Sequence, residues 1–346
     1  MPPQRGAVHC GCRVRWKYSV KVLVTGGAGF IGSHLVDSLL ADGRGVVVLD
    51  DFSTGRRENL AHVSSSDRLT IVEGTILDEK LVKKLVRESN EVYHLAAAVG
   101  VHRILDEPLE SIETNLRGTE NVLYAVEGKT RVLIASTSEV YGKNASDSLC
   151  EEDDSIVGAT SKSRWLYATS KAMDEFLSLA HYRERGTQAV IIRFFNTVGP
   201  RQTGMYGMVL PSFVKKALAG EPITIYGNGR QQRNFTYVGD AIRGIRHLME
   251  TPEAAGNVYN MGGSEEVSIE QLAIRVRQLT GSNSPLQYVP YSYAYSSGFE
   301  DMQRRSPNTD KLKAAIGFTP ETPLDDIIQS VIRYYREKQQ IAATVA

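Results

Sequence analysis

The chain has 346 residues, with 40 Lys and Arg against 40 Asp and Glu, and therefore no formal net charge. That length buries a sizeable core without staples and suits two domains, or one large domain with an appended lobe. The charge balance excludes a dedicated nucleic-acid binder with its strongly basic face, and no run approaches the roughly 18–20 apolar residues that cross a bilayer.

Three cysteines, Cys10, Cys12 and Cys150, offer no disulfide framework and point to a reducing, cytoplasmic setting. Cys10-Gly-Cys12 lacks a second Cys/His pair at zinc spacing, so no metal is expected. Residues 1–19 carry Arg5, Arg13, Arg15 and Lys17 with no acid and no apolar stretch. They read as a disordered leader or an over-long start rather than a secretory signal.

Lys21–Thr25 (KVLVT) opens the ordered chain as a short β-branched strand of the kind buried in parallel sheets. A helix is predicted over Ile31–Ala41, stopped by Gly43, and Val46–Asp50 is the second strand. Leu69–Glu73, Glu91–Leu95 and Arg131–Ala135 are further strands, with helices over Glu79–Arg87 and Ile112–Val126 between them. Strand alternating with helix at this spacing reads as α/β, a doubly wound parallel sheet. Beyond residue 200, Gly and Pro become frequent, and helices over Pro211–Leu218 and Ile269–Thr280 alternate with loops and short strands. The expected division is a cofactor domain over 20–200 and a smaller substrate lobe over 201–340. The chain is expected to return to the sheet near Gln188–Phe194 and Phe235–Leu248.

Between the first strand and its helix lies Gly26-Gly27-Ala28-Gly29-Phe30-Ile31-Gly32. In such a turn Gly26 permits the bend, Gly29 lets backbone approach a pyrophosphate, and Gly32 lets helix pack on strand. The helix N-terminus then presents free N–H groups to the phosphates, as in a Rossmann domain. Asp50, closing the second strand, suits the adenosine ribose hydroxyls and would repel a 2′-phosphate, so NAD is favoured over NADP.

The strand Arg131–Ala135 runs into Ser136-Thr137-Ser138-Glu139-Val140-Tyr141-Gly142, followed by Tyr167-Ala-Thr-Ser-Lys171. On a helix Tyr167 and Lys171 share a face, and an ammonium beside the phenol would lower its pKa towards working pH. Tyr167 is thus a candidate general base for a sugar hydroxyl, with Thr137 sharing that hydrogen bond. A Y-x-x-x-K pair alone is common on surface helices; the ordered set of glycine turn, S-T-S-E-V-Y-G and Y-x-x-x-K is far more specific.

With these motifs the sequence resembles the extended short-chain dehydrogenase/reductases that act on nucleotide sugars, over about Lys21 to Arg336. The resemblance extends through His94-Leu95-Ala96-Ala97, Asn115 with Gly118-Thr119, Arg193-Phe-Phe-Asn196, Gly199-Pro200-Arg201, Ile225-Tyr-Gly-Asn-Gly229 and Arg233-Asn-Phe-Thr-Tyr-Val-Gly-Asp240. It implies NAD held tightly by Gly26, Gly29, Phe30, Ile31, Gly32, Asp50, Thr75, Ile76, Leu95, Ala96, Ala97, Tyr167 and Lys171. It also implies a nucleoside diphosphate sugar between the domains, its diphosphate held by Asn196 and Arg233. Arg193, Arg201, Arg233 and Arg305 are expected to converge on that anionic substrate. The family's Gly-Asp-Ile after the third strand is replaced by Gly74-Thr75-Ile76, which removes a charge from the adenine contact.

Members of this family oxidise C4 of the sugar, a role that here assigns the hydroxyl proton to Tyr167 and the hydride to NAD. Rotation and re-reduction of the ketone give a 4-epimerase, elimination of water a 4,6-dehydratase, and loss of a 6-carboxylate a 4-keto pentose. Dehydratases carry Thr-Asp-Glu where this chain has Thr137-Ser138-Glu139, so dehydration is demoted. UDP-glucuronate decarboxylases resemble the chain better, through S-T-S-E-V-Y-G and Arg305-Ser306-Pro307. Those of lipid A modification also resemble Val157-Gly-Ala-Thr-Ser-Lys-Ser-Arg-Trp165 and Gly298-Phe-Glu-Asp-Met-Gln-Arg-Arg305. By that likeness Ser138, Glu139 and Arg305 would handle the carboxylate and the proton delivered after CO2 loss. Decarboxylation leads, UDP-sugar 4-epimerisation is the alternative, and a catalytically dead NAD-binding scaffold is the third reading. The family also implies a homodimer through the helices around Ile112–Val126 and Tyr167–Lys171, with Leu123, Met173, Phe176 and Leu177 as candidate contacts.

Overall fold

The computed structural model describes residues 20–99, 106–204, 208–290, 302 and 304–345. The leader expected over 1–19 and residues 298–301 and 303 of the segment before Arg305 lie outside them.

Seven parallel strands form the central sheet. The first six are β1 (Lys21–Thr25), β2 (Gly45–Asp50), β3 (Leu69–Glu73), β4 (Glu91–His94), β5 (Arg131–Thr137) and β6 (Gln188–Phe194). Smaller strands follow: β7 (Thr197–Val198), β8 (Ile223–Tyr226), β9 (Gln232–Asn234) and β10 (Thr236–Tyr237). Next come β11 (Asn257–Met261), β12 (Glu266–Ser268), β13 (Leu286–Val289) and β14 (Arg304–Arg305). The sheet order is β3-β2-β1-β4-β5-β6-β11. The strand that re-enters the sheet is therefore Asn257–Met261, not the segment near 235–248. That segment supplies two residues to β10 and then the helix Val238–Glu250, whose Ala241, Ile242, Ile245 and Leu248 cover the sheet.

Alternate residues of each strand serve opposite faces. Val22, Val24, Val46, Val48, Leu133, Val190 and Ile192 pack against the helices Phe30–Ala41 and Val238–Glu250. Leu23, Val47, Leu49, Val132, Ile134 and Ile191 pack on the other side against Glu79–Arg87 and Pro108–Ala125. Because both faces are covered, the strands read as continuous apolar runs. A third core gathers Val214, Leu272 and Ile328 from the helices Val209–Ala219, Ile269–Thr280 and Leu324–Val345, with Ile225 from β8. The lobe thus has its own hydrophobic centre. The helix Ile269–Thr280 is bounded by a Ser268–Gln271 capping box and by Gly281 at φ 70°.

A polar chain crosses the buried sheet. His94, at the end of β4, is flanked by the hydroxyls of Thr25 at 2.8 Å and Thr119 at 3.2 Å. Burial, helped by the charge of Lys171, lowers its pKa from 6.5 to about 3. The ring is neutral in the native state but ionises with an ordinary pKa when the chain unfolds. Its contribution is intact above about pH 6.5 and is lost as pH falls towards the native value, by up to about 1.4 kcal/mol per unit. Urea unfolding between pH 7 and 4.5 should show that decline, and a His94→Asn variant should flatten it. An unchanged slope in the variant would assign the acid sensitivity to other groups.

Candidate active site

The glycine turn is built by close approach. Gly26 has φ 70°, and a Cβ there would stand 2.8 Å from the Ala96 nitrogen. A Cβ on Gly32 would stand 2.1 Å from the Gly26 carbonyl oxygen, so the helix sits on the turn only without one. Gly29 is the N-cap of the helix Phe30–Ala41, which leaves the Phe30 and Ile31 amides among the unpaired first donors. Asp50 ends β2 with one carboxylate oxygen taking the Ala28 N–H at 2.9 Å and the other the Phe52 N–H at 2.8 Å. Burial pushes its pKa up and those two bonds oppose the rise without cancelling it. Each oxygen keeps capacity for a further donor, as a ribose would require. Leu95-Ala96-Ala97 follows β4, with the Ala96 N–H on the Thr25 hydroxyl at 3.3 Å. Ile76 is buried, and the Thr75 hydroxyl accepts from the Leu77 N–H at 3.2 Å, so this position turns the chain and carries no charge. A dipole end facing a closely approachable turn, with a carboxylate at the next strand end, fits a dinucleotide.

Across the carboxyl edge of the sheet, β5 ends in Thr137, which caps the short helical turn Ser138–Tyr141 by accepting from the Glu139 N–H at 3.2 Å. Ser138 is buried, and its hydroxyl accepts from Arg305 at 3.3 Å. Arg305 also lies 3.6 Å from the Glu139 carboxylate and 3.5 Å from the Asn196 side-chain oxygen. It reaches this point because β14 pairs with β9, which sets Arg305 beside Arg233. Asn196, at the left-handed φ of 33°, donates to the Asn234 carbonyl at 2.9 Å. The structure thus brings together Ser138, Glu139, Asn196, Arg233 and Arg305 from segments far apart in sequence.

It also adds a residue to which no motif assigns a role. Arg164, buried just before the helix Leu166–Arg185, forms an ion pair with Glu139. Burial works against the Glu139 charge, but Arg164 and then Arg305, with Arg233 beyond, more than offset it and hold the carboxyl below its ordinary range. The clue in the sequence was an arginine three residues before the candidate tyrosine; nothing there named its partner.

Tyr167 is the second residue of its helix and half-buried; Lys171, one turn on, is buried. The expected lowering of the phenol pKa is not found. Burial, then the negative charges of Glu139 and Asp174, push Tyr167 well above its ordinary value. Lys171 bonds Asp174 at 2.7 Å within a fully enclosed pair, and that carboxylate shields its charge.

Two other expectations are corrected. Arg193 forms a two-pronged pair with Glu175, at 3.0 and 2.7 Å, and donates to the Glu151 carbonyl. It braces β6 against the helix rather than facing a substrate. Arg201 bonds Asp37 at 2.7 Å, on the helix that starts at the glycine turn, instead of joining Arg233 and Arg305. A sequence displays the charge of an arginine but not the carboxylate that claims it.

A family model described as GDP-mannose 4,6 dehydratase matches residues 23–331. The chain belongs to that family. Its relatives include the UDP-N-acetyl-alpha-D-glucosaminuronate decarboxylase of Bacillus cytotoxicus, 40% identical over 92% of this chain and 98% of that one. UDP-glucuronic acid decarboxylase 1 of Xenopus tropicalis is 35% identical over 92% of this chain and 72% of its own. Among solved structures, the UDP-glucuronic acid 4-epimerase of Bacillus cereus, in complex with UDP-glucuronic acid and NAD, superposes with a TM-score of 0.83. It is 28% identical and covers 92% of this chain and 99% of that one. The family's doubly wound sheet, with order β3-β2-β1-β4-β5-β6 and an added strand, is the sheet found here.

The Glu139 arrangement yields a measurement. In Arg164→Met the carboxylate loses its nearest cation and keeps the more distant Arg305 and Arg233, so its pKa rises. The acid limb of the turnover–pH profile should move up by about one unit or more, and Arg164→Lys should recover part of the shift. An unmoved limb in Arg164→Met would show that Arg164 does not govern this titration.

Proposed function

We propose that the chain is an NAD-dependent decarboxylase of a UDP-linked hexuronate, working through a 4-keto sugar. The observation that carries this reading is the convergence of Arg305 on Ser138, Glu139 and Asn196. It forms a cationic, hydroxyl-bearing corner suited to a C6 carboxylate beside residues suited to a diphosphate. The names of the relatives support it, since decarboxylases stand at 40% and 35% identity and the epimerase structure at 28%.

In this reading Gly26–Gly32 and Asp50 hold NAD, which supplies the hydride acceptor. Tyr167, assisted by Thr137, takes the C4 hydroxyl proton. The ketone at C4 makes the uronate a β-keto acid. As the C5–C6 bond breaks, its electron pair moves into a C4–C5 enolate and CO2 leaves. Arg305 and Ser138 orient the carboxylate for that step, and the pocket containing Glu139 governs the proton returned to C5. Because Tyr167 begins with a raised pKa, turnover should increase with pH into the alkaline range, the deprotonated phenol being the active form.

A UDP-uronate 4-epimerase is the second reading, because Ser138 and Arg305 would hold the same carboxylate without expelling it. We also propose a homodimer through the helices Pro108–Ala125 and Leu166–Arg185, which expose Tyr124, Met173 and Phe176, the last 70% accessible. Leu123 is buried and Leu177 packs on the sheet core, so neither serves that contact. The free Cys150 suits a reducing compartment, and we place the chain in the cytoplasm. Among the described residues, no helix is long and apolar enough to cross a membrane.

The test is a product assay with C6-labelled UDP-glucuronate and UDP-N-acetylglucosaminuronate. The expected result is labelled CO2 in step with a product one carbon shorter. A six-carbon product that retains the label supports the epimerase, and inertness towards both uronates overturns the reading. Tyr167→Phe should lower kcat by roughly 100- to 10,000-fold while the fold is kept.

A further inference from the structure

A second concentration of positive charge lies outside this site. The segment Arg201–Gly204, one face of the helix Val209–Ala219 and the middle of the helix Leu324–Val345 line a cavity of about 620 Å³. Among the described residues, Arg56, Arg201, Lys215, Lys216 and Lys338 line it, against a single acid, Glu221. None of the Ser138, Glu139, Arg233 and Arg305 group and none of Gly26–Gly32 lines it.

The positive charges are poorly matched by the protein. Among the described residues Arg56 and Lys215 have no ion-pair partner; Lys215 sits 5.2 Å over the Tyr335 ring. Lys216 bonds a hydroxyl, that of Thr224, at 2.6 Å. Among the described residues Lys338 pairs only with Glu58, at 3.8 Å and largely exposed, and it lies 5.2 Å over the Tyr334 ring. Arg201 uses one terminal nitrogen on Asp37, while the other is buried with no hydrogen-bond partner among the described residues. Burial, then the like charges of Arg56 and Lys338, lower the Lys215 pKa. Gln202, buried at the cavity wall, also has a side-chain oxygen without a donor among the described residues. Unbalanced cations that crowd one another in a recess, with a spare acceptor beside them, describe a site for an anion that also bears a donor.

We propose that this cavity binds a phosphate-bearing ligand, separate from cofactor and substrate. Its phosphates lie between Lys215, Lys338 and Arg56, a hydroxyl reaches Gln202, and Tyr334 offers a ring to any attached nucleoside. Such a ligand would link the two parts of the chain. The Arg56 N–H is bonded to the Ala28 carbonyl in the glycine turn, at 3.0 Å, whereas Lys215 and Lys338 belong to the lobe. Occupancy would therefore bear on how firmly the glycine turn is held.

The test is calorimetry on protein saturated with NAD, titrated with inorganic pyrophosphate and, separately, with ADP. Both should bind, with an affinity that falls as salt is raised. The double variant Lys215→Gln/Lys338→Gln should weaken that binding by about tenfold or more while turnover without added phosphate stays unchanged. Lys338→Gln alone, on the exposed side of the last helix, should give an intermediate loss and guards against misfolding of the double variant. Equal affinity for the two probes means that phosphate alone is read, and tighter ADP means that the nucleoside is read as well. The proposal is overturned by absence of binding to the NAD-saturated protein, by binding that disappears as NAD is added, or by an unchanged affinity in both variants.

Discussion

A buried carboxylate needs a cation, and in this protein that need at Glu139 organises the site. An unpaired carboxylate in such a position would be neutralised or expelled, because moving it from water costs several kcal/mol. Arg164 and Arg305 answer it from either side. Arg164 precedes the helix that carries Tyr167 and Lys171, and Arg305 lies on a strand paired with the one that carries Arg233. Satisfying one charge therefore fixes the base-bearing helix, the end of β5 and the anion-binding strands relative to one another. Removing one member of such a group commonly costs about 3–5 kcal/mol, since the other charges stay behind uncompensated.

The same rule disperses charges elsewhere. Glu175 claims Arg193, Asp174 claims Lys171 and Asp37 claims Arg201. Each pairing removes a cation from the pool that a substrate could use. The arginines that stand together beside Ser138 and Glu139 are Arg233 and Arg305, and a separate group of cations lines the cavity around Lys215. A chain with no net charge thus contains two strongly polarised recesses.

How far the sequence disclosed all this depended on whether a feature was local. The parallel strands were legible because burial on both faces leaves unbroken runs such as Val46–Asp50. The glycine turn was legible because each glycine answers to a contact within a few residues or on the adjoining strand, as Gly32 does with Gly26. That Arg305 and Ser138 belong to one site was implied by resemblance alone, since 167 positions separate them. Arg164 lay in view but without a role, because its partner Glu139 is set by the fold. The returning strand was placed too early, in the segment 235–248, because an amphipathic helix over a sheet and a buried strand are both rich in Val and Ile. The pattern alone does not separate them.

Tyr167 shows why residue spacing is not electrostatics. Helical spacing does bring Lys171 to the same face, but whether an ammonium lowers a neighbouring pKa depends on what else that ammonium touches. Asp174 lies on the same helix, one turn beyond, and bonds Lys171 at 2.7 Å, so burial, then the charges of Glu139 and Asp174, hold the phenol above its ordinary value. The site described here is therefore set with its proton on the tyrosine. Drawing that proton requires a change in the balance among Lys171, Asp174 and whatever charge enters the cleft. The activity of Tyr167 is thus coupled to occupancy of the site, and an oxidation that starts only once the site is filled does not expose a reactive ketone to water.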